Sequence, residues 1–305
     1  MLVRKLLQQG HRVKLLARSM EKLPKGCDAV YGDLSNTEVI DKGIKGCDVV
    51  FHVASLIDYT VPWSRIYEVN VRGTKNIVDV CVKHGVKRLV YMGSTSVYGN
   101  PPLETPTSED SPTNPTDLYG KSKLDAERVL NEYMWQLPIT ILRPSVIYGP
   151  TYLDVYGNVL KLLEEGRLPI LGDGKNVVPF VHADDVADLA ILCGRSEPKR
   201  AEGIFNVCEN KHLTQEQVYE IACAALNVHL KKKHADPRLA KAFILLSSIL
   251  KKRGLGAEHI DVLAGHRIFD TGRAERELGW SPKILLSDGI KNMVALYRNE
   301  NKRKG

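Results

Sequence analysis

Short, continuous apolar runs alternate with stretches patterned for helices along the first half of the chain, and that alternation limits the fold more than anything else in the sequence. The runs are Arg12–Ala17, Asp28–Tyr31, Asp48–Val53, Lys87–Met92 and Ile139–Leu142. Around them fall a helix that stops at Gly10, a short helix over Thr37–Lys45, a long one over about residues 64–84, and another from Leu118 onward. A strand with one wet face alternates polar and apolar residues, whereas a strand covered on both faces does not. Strands of the second kind, separated by helices, predict a parallel sheet wound on both sides. In such sheets ligands gather beyond the carboxyl ends of the strands. The unusual residues stand at those ends: Arg18, Asp33, His52 to Ser55, Ser94 and Pro144. A length of 305 residues suits one large core with a smaller second lobe.

Several function classes drop out on composition. The net charge of +7 is widely spread, densest at Lys231–Lys233, Lys251–Arg253 and Lys302–Lys304, and no aromatics interleave with those runs. That argues against nucleic acid as a partner. The six cysteines stand singly, mostly inside apolar segments, without a Cys-x-x-Cys pair. Reduced thiols in a cytoplasm are expected, not disulfides or zinc. His182, His229 and His234 lack metal-ligand spacing, so no metal site is expected. No signal peptide is visible, and the longest apolar run, Ala242–Leu250, is too short to span a membrane.

The stretch richest in chemistry is Tyr119-Gly-Lys-Ser-Lys123. Leu118, Leu124, Val129 and Leu130 form an apolar stripe at helical spacing, with Gly120 as the single breaker. On a helix, Tyr119 and Lys123 share a face. A neighbouring ammonium stabilises phenolate, and lowering a tyrosine pKa from ~10 by ~2–3 units brings it toward working pH. Tyr-x-x-x-Lys alone arises often by chance, so its meaning depends on its surroundings.

Those surroundings are Gly32–Leu34, Phe51–Ser55, Asn70–Thr74, Ser94–Gly99, Leu142–Gly149, Val181–Ala187 and Leu278–Pro282. In this order they resemble the motifs of the extended short-chain dehydrogenase/reductase family, NAD(P)-dependent epimerases, dehydratases and hydroxysteroid dehydrogenases. The resemblance implies a Rossmann-type dinucleotide domain over residues 1–150, rejoined by 177–207. It also implies a substrate lobe of residues 151–176 and 208–305. Tyr119 would exchange a proton with substrate, Lys123 would lower its pKa and bind the nicotinamide ribose, and Ser94 would hydrogen-bond the same substrate oxygen. Asp33 and Leu34 would contact adenine; Val53, Ala54 and Ser55 would line the cofactor cleft; Pro144 would set the backbone beside the nicotinamide. Asn70 would tie the long helix to the active-site strand. Read alone, Ser94 is a turn serine and Asp33 a helix cap. Ala17 stands where NAD-preferring relatives carry an acid, and the guanidinium of Arg18 suits a 2′-phosphate, favouring NADP over NAD. A homodimer through the helices near 64–84 and 118–136 is also implied.

The sequence departs from the family at its start. A strand and Gly-x-x-Gly-x-x-Gly, whose backbone approaches the pyrophosphate, are absent. Met1–Leu7 reads as the second half of the helix that follows that loop, as in a truncated gene model; weak dinucleotide affinity is expected only if the chain truly starts there. Further on, Lys175–His182 lacks the arginine with which sugar-nucleotide members grip a diphosphate, leaving Lys175 as a substitute. Ser94-Thr95 lacks the acid pair of sugar dehydratases. Residues 237–253 form an apolar helix with basic ends, read as core packing, as a lid over an apolar substrate or as a membrane-surface contact. The leading expectation is an NADP-dependent oxidoreductase interconverting an alcohol and a ketone on a small apolar substrate. The alternatives are a nucleotide-sugar epimerase or dehydratase, and an inactive or cofactor-sensing relative.

Overall fold

The computed structural model describes residues 1–19, 23–58, 60–246, 261 and 263–304. It opens with α1 (Leu2–Gln8), followed by β1 (Lys14–Ala17) and β2 (Asp28–Tyr31), which pair in parallel. Helix α2 (Thr37–Ile44) is capped by Asn36, whose side chain accepts from the Val39 amide. After β3 (Val49–His52) the expected long helix arrives in three pieces. These are α3 (Trp63–Tyr67), a π turn over Glu68–Arg72 and α4 (Gly73–Lys83). Then come β4 (Arg88–Met92), a 3₁₀ turn over Thr95–Tyr98, α5 (Leu118–Asn131) and β5 (Ile139–Pro144).

Next come β6 (Val146–Tyr148), α6 (Leu153–Glu164), β7 (Ile170–Leu171) and β8 (Phe180–His182), with β6 and β8 paired in parallel. The chain returns through α7 (Ala183–Arg195), α8 (Pro198–Ala201) and β9 (Gly203–Val207). It finishes with α9 (Gln215–Leu226), β10 (His234–Ala235), α10 (Pro237–Leu246), α11 (Gly272–Leu278) and α12 (Leu286–Lys304). Of the expected 237–253 helix, residues 247–253 lie outside the described residues. Among the described residues no helix is long and apolar enough to cross a membrane.

The central sheet is all parallel, in the order β3-β4-β5-β9. Its side chains divide between two cores, which is why its strands read as unbroken apolar runs. Leu89, Tyr91, Ile139 and Ile141 pack with Ile77, Val78, Ala126 and Leu130 of α4 and α5. Val90, Leu142, Phe205 and Val207 pack on the other face with Val186, Leu189 and Ala190 of α7 and with Ala274, Leu278 and Trp280. The doubly wound architecture is therefore the one expected. Among the described residues β1 bonds only β2 and β3 bonds only β4, so the strands form two separate ladders. A third core, with Leu160, Leu163, Tyr219, Leu226, Ile290 and Met293, holds α6, α9 and α12 together in the second lobe.

Gly73 shows how tightly α4 seats on the strand ends. A Cβ there would stand 2.7 Å from the Leu34 Cβ, and Leu34 is itself buried. Alanine normally gains about 1 kcal/mol over glycine in a helix, but overpacking costs about 1–3 kcal/mol. Gly73→Ala is therefore expected to lower stability in urea unfolding; a stabilised variant would show that this contact gives way freely.

Candidate active site

The site is assembled where β4 meets the first turn of α5. Ser94 follows β4 and caps the 3₁₀ turn, its hydroxyl accepting from the Ser96 amide at 3.1 Å. Asp117 caps α5 by accepting from the Gly120 amide at 2.7 Å. A Cβ on Gly120 would lie 2.5 Å from the Ser96 carbonyl oxygen, so only glycine lets the helix press against the turn that carries Ser94. Tyr119 is thereby set beside Ser94. From the other side comes Ser55, on the segment after β3. Asn70, buried on the π turn, clamps that segment: it accepts from the Leu56 amide at 2.7 Å and donates to the Leu56 carbonyl at 3.0 Å. It also donates to the Ser122 hydroxyl on α5 at 2.8 Å. The π turn is the irregularity that aims this side chain, as such turns do at functional sites. The hydroxyls of Ser55 and Ser94 face the Tyr119 phenol and favour its ionised form, while Ser94 itself donates to the Ser96 hydroxyl at 3.1 Å.

Lys123 lies buried beneath. Its Nζ donates to the Met92 carbonyl at 2.8 Å, 4.9 Å from the centre of the Tyr91 ring and 5.7 Å from that of Tyr119. Burial lowers its pKa to about 7, against the pull of Glu127. Burial pushes the Tyr119 phenol the other way, up to about 12, despite the lowering influence of the Ser55 and Ser94 hydroxyls. The expected depression of the Tyr119 pKa is thus absent in this state. The physical reason is burial of the phenol, and the Lys123 ammonium is engaged by the Met92 carbonyl. His52, buried with Nε2 2.9 Å from the Thr74 hydroxyl, is lowered to about 3 by burial and by the Lys123 charge.

The remaining expected residues lie at the strand ends, with one difference. Val53 and Ala54 are exposed beyond β3, and Pro144 is buried at the end of β5. Arg18 is exposed beyond β1. Asp33 is exposed beyond β2 and is not a helix cap; the Ser35 hydroxyl and amide hold its carboxyl below the usual range, with Arg65 and Arg18 adding to the effect. Leu34 differs, because its side chain turns inward under Gly73 and its carbonyl accepts from Asn76.

The sequence profile of the NAD dependent epimerase/dehydratase family matches residues 1–208. The chain belongs to that family. It is 28% identical to a UDP-glucose 4-epimerase of Mycolicibacterium smegmatis, over 98% of this chain and 95% of that protein. It is 29% identical to the 3beta-hydroxysteroid-dehydrogenase/decarboxylase isoform 1 of Arabidopsis thaliana, over 87% of this chain and 65% of that longer protein. In fold it matches the UDP-glucose 4-epimerase of Thermotoga maritima in complex with UDP-glucose. The TM-score is 0.81 at 21% identity, over 98% of this chain and 95% of that one.

For a member of the epimerase/dehydratase family the chain holds an unusually legible site, yet three contributors escape a motif reading. Asp117 and the contact of Ser55 with Tyr119 depend on loop geometry. Glu127 stands four residues beyond Lys123, a spacing that was open to inspection, but its partner Arg143 comes from β5. Gly120 offers the direct test of the assembly. Gly120→Ala is expected to cost about 1–3 kcal/mol by forcing α5 off the Ser96 carbonyl. Crystallography of the variant should show Tyr119 displaced from Ser94; an unmoved ring with full stability would contradict the close-approach account.

Proposed function

We propose that the chain acts on a secondary alcohol carbon of a nucleotide-linked sugar, oxidising and re-reducing it as an epimerase or dehydratase does, with a nicotinamide dinucleotide along the strand ends. The observation that carries this reading is the meeting of Ser94 and Ser55 at the Tyr119 phenol above a buried Lys123. The residues suit such a cofactor at both ends. Arg18 and Asp33 offer a cation and an acceptor to the adenosine end, while Val53 and Ala54 form an exposed apolar wall near the hydroxyls and ammonium of the other. A bound nicotinamide would supply the acceptor and donor of hydride. In its phenolate form, which a neighbouring Lys123 ammonium would favour, Tyr119 Oη would take the proton of the substrate hydroxyl and later return it, and Ser94 would donate to the same oxygen as charge develops. Arg18, beyond Ala17, favours the 2′-phosphate form, NADP.

Arg267 supports the nucleotide-linked substrate. It is 4% exposed, and its amide donates to the Val177 carbonyl at 3.1 Å. Two residues on, Phe269 packs with Val97, Tyr98 and Leu124, so this segment runs from the second lobe to the Tyr119 helix. A buried guanidinium there would take the place of the arginine missing from Lys175–His182, whereas Lys175 is exposed. Burial lowers the Arg267 pKa to about 10, which leaves the side chain charged at neutral pH. The second reading, net oxidoreduction of an apolar alcohol, draws on the hydroxysteroid relative and on Thr95 in place of an acid pair.

Incubation with UDP-sugars and with hydroxysteroids, following both reduced nicotinamide and sugar products, separates the two. Redox-neutral conversion of a UDP-sugar is expected. Net formation of reduced nicotinamide from an apolar alcohol, with UDP-sugars untouched, would overturn the proposal. Arg267→Gln should raise the KM for the UDP-sugar roughly 10–100-fold, the loss of one charged hydrogen bond.

A further inference from the structure

The geometry points to Glu127, held by Arg143, as the buried counter-charge that keeps Lys123 protonated beneath Tyr119, a positioning residue for the site. Glu127 and Arg143 are 2% and 3% exposed. Arg143 Nη2 donates to Glu127 Oε2 at 2.6 Å, and Nε donates to both carboxylate oxygens at 3.2 Å. The other side of the guanidinium donates to the Tyr98 hydroxyl at 2.7 Å and lies over its ring, and Tyr98 donates to Asn206 at 2.8 Å. The carboxylate is therefore fixed in position from β5 and the 3₁₀ turn. It also reaches the site: a Cβ on Gly93, the residue before Ser94, would meet Glu127 Oε1 at 2.7 Å.

Lys123 sits one helical turn before Glu127 on α5. The titratable groups facing it from the packed elements are His52 on β3, Tyr91 on β4, and Tyr119 and Glu127 on α5. His52 is neutral at working pH, with its pKa near 3, and burial holds Tyr91 well above the ordinary phenol value. Glu127 supplies the negative charge among them. Burial pushes its own carboxyl up, and Arg143 first, then Lys123, pull it back down. The two-point contact of the Arg143 guanidinium favours the carboxylate form of Glu127, and that charge resists the downward pull of burial on Lys123. Without that charge the Lys123 midpoint would fall further, and Tyr119 would face a neutral amine over a wider pH range.

The inference rests on Lys123 belonging to the site proposed above, but its test needs no substrate. The full chain is labelled at the lysine side-chain carbons, Lys123 is identified from Lys123→Arg, and its titration is followed by nuclear magnetic resonance. The Lys123 midpoint should fall in Glu127→Gln by about one pH unit or more, as expected for losing one charge a helical turn away. It should largely return in Glu127→Asp. A folded Glu127→Gln chain with the wild-type midpoint would overturn the inference. Should Glu127→Gln fail to fold, the wild-type glutamate carboxyl decides. Glu127 ionised throughout the Lys123 titration supports the assignment, and Glu127 protonated there overturns it. Absence of UDP-sugar turnover would sink the proposed reaction and leave these readings untouched.

Discussion

Two full charges, Glu127 and Arg143, meet inside the molecule between α5 and β5. Taking each from water costs several kcal/mol, and their attraction offsets that only when the remaining hydrogen-bonding groups are also satisfied. Here they are. Arg143 spends its guanidinium on both carboxylate oxygens, the Tyr98 hydroxyl and the Glu109 carbonyl. Tyr98 passes the chain to Asn206 on β9, whose amide donates to Glu109. Breaking such a pair from one side costs about 3–5 kcal/mol, a large part of the ~5–15 kcal/mol that holds an ordinary domain folded. The network therefore sets where α5 rests on the sheet, and with it the height of Tyr119 above the strand ends.

The remaining adjustments are small and local. Gly120 removes the one side chain that would lift α5 from the turn after Ser94, and Asn70 pulls the segment after β3 against the same helix. These contacts draw on different elements, β3, the π turn, β4 and α5. Their agreement on one phenolic oxygen is what separates this arrangement from a chance Tyr-x-x-x-Lys. The same burial that orders the site raises the Tyr119 pKa and lowers that of Lys123.

Much of this was readable from the chain alone. The parallel sheet was visible because β4 and β5 send alternate side chains into two separate cores, leaving no polar face in the sequence. Ser94, Ser55, Tyr119 and Lys123 were placed at strand ends or on the right helix by their order. What was hidden depended on distances across the fold. The long helix broke into α3, a π turn and α4, which periodicity does not resolve. Gly73 seats against the Leu34 side chain, a contact that no motif spacing carries. The Tyr119 pKa lies above the ordinary phenol value and not below it because burial dominates, and spacing on a helix does not reveal burial. Arg267 carried no motif at all, and its place beside Val177 follows only from the folded second lobe.

Family membership and the convergence at Tyr119 make one claim about chemistry: the phenol moves the proton when hydride leaves a substrate carbon. Single-turnover absorbance of the reduced nicotinamide formed when a UDP-sugar meets the dinucleotide-loaded protein tests it directly. Replacing Tyr119 by Phe keeps the ring and removes the proton carrier, so the rate should drop by about 10²–10⁴-fold with the fold intact. An unchanged rate in that variant would contradict the account.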